Sequence, residues 1–210
     1  VNFMTTSAIV TSAIPEAAGY AYAQKYKNSE GVVICYHGDG AVDEGVYWES
    51  LNFASLHQLP ILFVCENNKY AIYTHQKKRM LGDSIVERAN SFGVDSSRVN
   101  GISTEDFYNA TQKSINKIKN NGGPMLIECL TTRWRDHVGP GEDRHIKFRS
   151  DKELDISIKG DDLKNLEKLL PKEEVNEIQG DVEHKISEAI NYSEKSSFPE
   201  ISEITDEVYG

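Results

Sequence analysis

Val32-Val33-Ile34-Cys35-Tyr36-His37-Gly38-Asp39-Gly40 and, further along, Ile61-Leu62-Phe63-Val64-Cys65-Glu66-Asn67-Asn68 decide the fold. Each begins as a short, nearly continuous apolar run and ends in glycine or polar residues, and residues 46–57 between them have the pattern of a helix. Unbroken apolar runs of this length belong to strands buried on both faces. Two such strands joined by a helix make a βαβ unit with a parallel sheet.

Outward from this unit the alternation continues. Residues 13–27 are alanine-rich with Pro15 near the start, where a helix tolerates proline because the first-turn N–H has no partner to lose. Further helices are expected around 85–92 and 104–120, and a strand at Met125-Leu126-Ile127-Glu128-Cys129-Leu130. The expected class is α/β, an open, mostly parallel sheet with helices on both faces. Residues 135–149 turn to Gly, Pro and charge, a long loop of the kind that often serves function. After Ser150 come two or three polar helices, including 162–170 and 173–192, then a tail with Pro199. No internal repeat or low-complexity tract interrupts the chain. At 210 residues one domain is expected, with 1–150 as its α/β part and 151–210 as a C-terminal helical extension.

Thirty-three acidic against 23 basic side chains give a net charge of −10, which argues against nucleic acid as a partner because phosphate binding calls for a basic stripe. No apolar run is long enough to cross a bilayer and no Lys/Arg-rich amphipathic segment suggests attachment to one, so no membrane association is expected. Cys35, Cys65 and Cys129 each sit inside an apolar run without CxxC spacing, the pattern of reduced core thiols in a cytoplasmic protein.

Gly38-Asp39-Gly40 stands at the carboxyl end of the first strand, where parallel sheets bind ligands. Its glycines would let backbone approach a phosphate, the following helix would aim its first amides at the anion, and Asp39 offers a hard oxygen to a hard cation. Asn68, 29 positions after Asp39 (68 − 39), ends the next strand with a second oxygen donor. Magnesium wants near-octahedral oxygen ligation shared between a few protein groups and phosphates, and these donors suit it. Gly-Asp-Gly by itself is a common turn; its place between strand and helix, with Asn67-Asn68 closing the next strand, is what points to a cation and a diphosphate. No G-x-G-x-x-G follows the first strand, which argues against a nicotinamide cofactor.

Gly38-Asp39-Gly40-Ala41-Val42-Asp43-Glu44-Gly45, Glu49, Asn52, Leu59-Pro60 and Glu66-Asn67-Asn68-Lys69-Tyr70 resemble the E1 component α subunit of thiamine-diphosphate-dependent 2-oxo acid dehydrogenases of the pyruvate, branched-chain and acetoin type. Ile14-Pro15-Glu16-Ala17-Ala18-Gly19 upstream and Arg133-Trp134-Arg135-Asp136-His137 downstream extend the likeness over nearly the whole chain. The resemblance implies that Asp39, Asn68 and the Tyr70 carbonyl hold Mg2+. It implies that Gly38, Gly40 and Ala41 together with a catalytic His137 hold the diphosphate, and that backbone at Ala8 and Val10 meets the aminopyrimidine ring. It further implies a β subunit supplying the activating glutamate, since no residue of this chain matches it, in an α2β2 assembly that passes the acyl group from a 2-oxo acid to a lipoyl-bearing E2. Relatives have a long N-terminal region before the counterpart of Val1, so that part is expected to be truncated or separately encoded. Two alternatives remain at this level: another thiamine-diphosphate enzyme, transketolase-like or acetoin-cleaving, or a non-catalytic assembly subunit.

Overall fold

In the computed structural model, which describes residues 3–142 and 144–205, the expected alternation takes shape as α1 (Ala13–Tyr26), β1 (Val33–Gly38), α2 (Gly45–Leu56), β2 (Ile61–Asn67), a small hairpin of β3 (Tyr70–Ala71) and β4 (Thr74–His75), α3 (Ile85–Ser91), β5 (Asp95–Asn100), α4 (Thr104–Asn121) and β6 (Met125–Leu130). Three helices follow, α5 (Asp151–Lys159), α6 (Leu163–Glu167) and α7 (Lys172–Lys195). The chain divides into two compact units, Val1–Asp162 and Leu163–Gly210.

The main sheet of the first unit is parallel throughout, in the order β1-β2-β6-β5. One face packs against α1, α2 and α3 through Ile14, Tyr47, Leu51, Ile85 and Ala89, which meet Cys35, Phe63 and Cys65 from the strands. The other receives α4, whose Ile118, Phe107 and Ile115 pack on Leu62, Val64, Ile127 and Cys129. With layers on both sides, β2 and β6 are buried almost end to end, which is why they read as unbroken apolar runs. Helix starts are marked by serines: Ser84, Ser103 and Ser150 each accept from the backbone N–H three residues on, satisfying a donor that the helix itself leaves unpaired.

Strand β5 departs from expectation, because Asp95-Ser96-Ser97-Arg98-Val99-Asn100 has no apolar run. It lies at the sheet's edge, where polar side chains deter pairing with other chains, and its partner β6 supplies the reason it is a strand. Arg98 stands opposite Glu128 in the ladder, and its guanidinium bonds the Glu128 carboxylate at 3.0 and 3.2 Å. Glu128 is fully buried and also accepts from Asn67 Nδ2 at 2.7 Å, so a polar row crosses three strands. Cys35, Cys65 and Cys129 are free and buried. No helix among the described residues is long and apolar enough to cross a membrane.

A buried carboxylate that loses its cation keeps the full desolvation penalty. Arg98→Ala is therefore expected to destabilise the protein by about 3 kcal/mol in chemical denaturation, whereas a surface arginine would cost well under about 1 kcal/mol. A loss that small would show that Glu128 does not depend on Arg98.

Candidate functional site

All four strands of the sheet run the same way, so their carboxyl ends lie on one side. Gly38 stands opposite Glu66, and the chain leaves β1 and β2 at the same level. Asp39 begins a 3-10 turn, Asp39–Asp43, and α2 starts only at Gly45 after an extended Glu44. The helix lies within a residue of the expected 46–57, but this turn separates its first amides from Asp39, which corrects the expectation that they are the ones aimed at an anion there. The amides nearest the aspartate belong to the tight turn, which brings the chain against the hairpin before α2 begins. Gly40 makes that approach possible: a Cβ there would lie 3.2 Å from the Ala71 methyl.

Asp39 is only 2% exposed. Arg79 Nη2 reaches its Oδ2 at 2.5 Å, Arg79 Nη1 bonds Asp43, and Arg79 Nε donates to the Thr74 carbonyl at 3.1 Å. Burial pushes the Asp39 carboxyl above its ordinary range, while the Arg79 guanidinium and backbone hydrogen bonds from Asp39 and Asn68 pull it back. Asp39 and Asn68, the two halves of the sequence motif, leave adjacent strand ends at the same level.

The two asparagines divide their tasks. Asn67 is buried, with Nδ2 on Glu128 and Oδ1 accepting from Lys69 N–H at 2.9 Å, a turn that sets Lys69 at φ 69°. Asn68 is partly exposed and its Oδ1 accepts from Tyr70 N–H at 3.0 Å, leaving that oxygen a second lone pair. Tyr70 lies in the hairpin opposite His75. Its hydroxyl donates to Glu153 of α5 at 3.0 Å, and its ring packs edge-on against Phe148. Burial, then the bond to Glu153, push that hydroxyl up to about 12.

His137 lies exposed on the loop after β6, with Nδ1 3.2 Å from Arg133 Nη1 and its N–H on Asp136. The loop is tied to the same hairpin, through Arg133 to the Ile72 carbonyl at 2.7 Å and through the Tyr73 hydroxyl to Asp136 at 2.9 Å. Among the described residues no hydrogen bond links His137 to Asp39 or Asn68. Ala8 and Val10 are exposed; the adjoining Thr11 anchors their segment by donating to the Ala41 carbonyl at 3.2 Å. Asp39, Gly40, Ala41, Asn68 and Tyr70 are thus gathered at the strand ends after Gly38, while His137, Ala8 and Val10 lie on segments bonded to that cluster.

Among the described residues no three His, Cys, Asp or Glu side chains come together as a metal cluster. The donors present are instead one buried carboxylate, one amide oxygen and nearby backbone, which suits a hard cation that takes its remaining ligands from phosphate and water. A magnesium–diphosphate pair fits this set. The sequence reading missed Arg79, Thr11 and Glu153: Lys77-Lys78-Arg79 reads as a solvated basic run, and nothing in the sequence pairs it with an aspartate 40 positions away.

The family model for the dehydrogenase E1 component matches residues 1–202. The chain is 33% identical over 212 residues to the α subunit of acetoin:2,6-dichlorophenolindophenol oxidoreductase from Bacillus subtilis, covering 99% of this chain and 63% of that protein. To the pyruvate dehydrogenase E1 component α subunit of Rickettsia bellii it is 27% identical over 207 residues, covering 96% and 63% respectively. To the mitochondrial 2-oxoisovalerate dehydrogenase α subunit of Mus musculus it is 40% identical over 136 residues, 65% of this chain and 31% of that one. The chain therefore spans 63% of the length of the first two relatives. With nearly every residue of the chain inside the matched range, it belongs to the dehydrogenase E1 component family.

Proposed function

We propose that this chain anchors the diphosphate and the metal in the α subunit of a thiamine-diphosphate-dependent 2-oxo acid dehydrogenase, an oxidoreductase that decarboxylates a 2-oxo acid and passes the acyl group to a lipoyl group. The observation that supports this most directly is the register that brings Asp39 and Asn68 to adjacent strand ends, in a chain matched to the E1 component over residues 1–202. Asp39, Asn68 Oδ1 and the Tyr70 carbonyl would hold Mg2+. Gly38 ends β1 so that the turn can begin, the amides of Gly40 and Ala41 would face the diphosphate, and His137 would close on it from the loop after β6 as a donor to phosphate oxygen. Backbone at Ala8 and Val10, placed by Thr11, would meet the ring of the cofactor. When bound, thiamine diphosphate supplies the electron sink that decarboxylation of a 2-oxo acid requires.

The activating carboxylate would come from a β subunit in an α2β2 heterotetramer, with a lipoyl-bearing E2 as acceptor. Burial of three free thiols is in keeping with a reducing, cytoplasmic setting. A second reading, an acetoin-cleaving enzyme, is favoured by the relative whose name makes acetoin its substrate. Dye reduction with pyruvate, branched-chain 2-oxo acids and acetoin as competing substrates distinguishes the two.

In isothermal titration of the intact protein with its β partner, Asp39→Ala is expected to weaken Mg2+-dependent binding of thiamine diphosphate by about a hundredfold, the loss of a charged, desolvated contact. Unchanged binding would remove Asp39 from the metal. His137→Ala, at an exposed position, should leave the melting temperature in place and raise the Kd for thiamine diphosphate about tenfold, as loss of one charge-assisted bond predicts. An unmoved Kd would leave His137 without a role in holding the diphosphate.

A further inference from the structure

Asp39 and Glu128 are both buried carboxylates, and they are neutralised in different ways. Glu128 is held by groups of the sheet and of α3: Arg98 from β5, Asn67 from β2 and the Val86 N–H. Asp39 takes its cation from a loop. Its side chain is 1% exposed, and Arg79, itself only 11% exposed, lies between it and Asp43, which is 36% exposed. An unpaired carboxylate at that depth is costly, and the guanidinium offsets that cost.

The same contact stands where a metal would sit. A divalent cation and a guanidinium on one buried carboxylate repel each other in a medium that screens poorly. Arg79 has somewhere to go: Asp43 lies nearer solvent and already shares the guanidinium fork, so the side chain can leave Asp39 and remain paired. It also forms part of the wall of an open hollow of about 590 Å³, with Lys77, Lys78 and Asp83, and these three cations against one carboxylate give the hollow a net positive lining. The loop turns at Gly82, whose φ of 80° suits glycine.

We propose that Arg79 is the resident counter-ion of the metal site, neutralising Asp39 while the cofactor is absent and releasing it when cation and diphosphate arrive together, so that the two bind cooperatively. This rests on the reading of Asp39 as a metal ligand. A cation alone has to displace the guanidinium and tolerate it nearby. A diphosphate that accompanies the cation offsets both positive charges.

The test is calorimetry on the intact protein containing this chain, titrating Mn2+ alone, inorganic pyrophosphate alone, and Mn2+ at saturating pyrophosphate. Arg79→Gln removes the charge and leaves an amide donor at about the depth of Nε, which meets the Thr74 carbonyl, and Arg79→Met keeps only the aliphatic stem. Both are expected to bind Mn2+ alone about tenfold more tightly than wild type and to lower the Mn2+–pyrophosphate coupling by about the same factor. Arg79→Lys is expected to retain the coupling. The affinity of Mn2+ for pyrophosphate in solution is common to every titration and cancels in the comparison. Should Arg79→Met fail to fold, Arg79→Gln decides alone. If Asp39→Ala loses Mn2+ while Arg79→Gln matches wild type in affinity and coupling, the counter-ion role is refuted and the metal reading stands. If Asp39→Ala binds Mn2+ as wild type does, both fall.

Discussion

The register of β1 on β2 is the constraint on which the rest of the molecule depends. With Gly38 opposite Glu66, and Asn67 opposite Leu130 in the next ladder, three strands end at one level and send Asp39 and Asn68 out side by side. A slip of one residue would turn every side chain of β1 to the other face, exposing Cys35 and His37 and presenting Ile34 and Tyr36 to α1 and α2. The packing of Tyr47 and Leu51 against the covered face therefore holds the site in place at a distance, since it selects the register that brings the donors together.

What could be read from the sequence follows from where the physics is local. Strands β2 and β6 announce themselves because burial on both faces demands unbroken apolar runs; β1 carries the same kind of run although Ile34 and Tyr36 lie on an open face, and the ends of β1 and β2 locate Asp39 and Asn68. Strand β5 does not: Ser96, Ser97 and Arg98 have no strand signal, and they are extended because β6 offers a free edge and Glu128 needs a cation. The 3-10 turn at Asp39 was equally hidden, because a turn and the first turn of a helix draw on the same residues. Thr11, at φ 72°, reads as part of an ordinary polar segment, and only the fold shows it fastened to Ala41.

Arg79 illustrates a different limit. Its pairing with Asp39 and Asp43 depends on the hairpin β3–β4, which depends on the Asn67 and Asn68 turns, which depend in turn on Glu128 holding Asn67. Three tertiary steps separate the arginine's position in sequence from its place in the site. The sequence could identify the carboxylate that wants a cation, because its neighbours are its own strand end and the next. It could not identify the cation that answers.

The number of carboxylates also bears on how such a site would work. A pocket with several aspartates would hold a divalent cation whether or not a phosphate was present, and its occupancy would carry no information about the organic ligand. One buried carboxylate with neutral oxygen donors leaves the cation short of both charge and ligands until the diphosphate provides them. An arginine on that single carboxylate deepens the dependence, because Asp39 is then already paired before a cation arrives. On the proposed reading, the protein need not recognise metal and cofactor separately: the charge balance at Asp39 makes each the condition for the other.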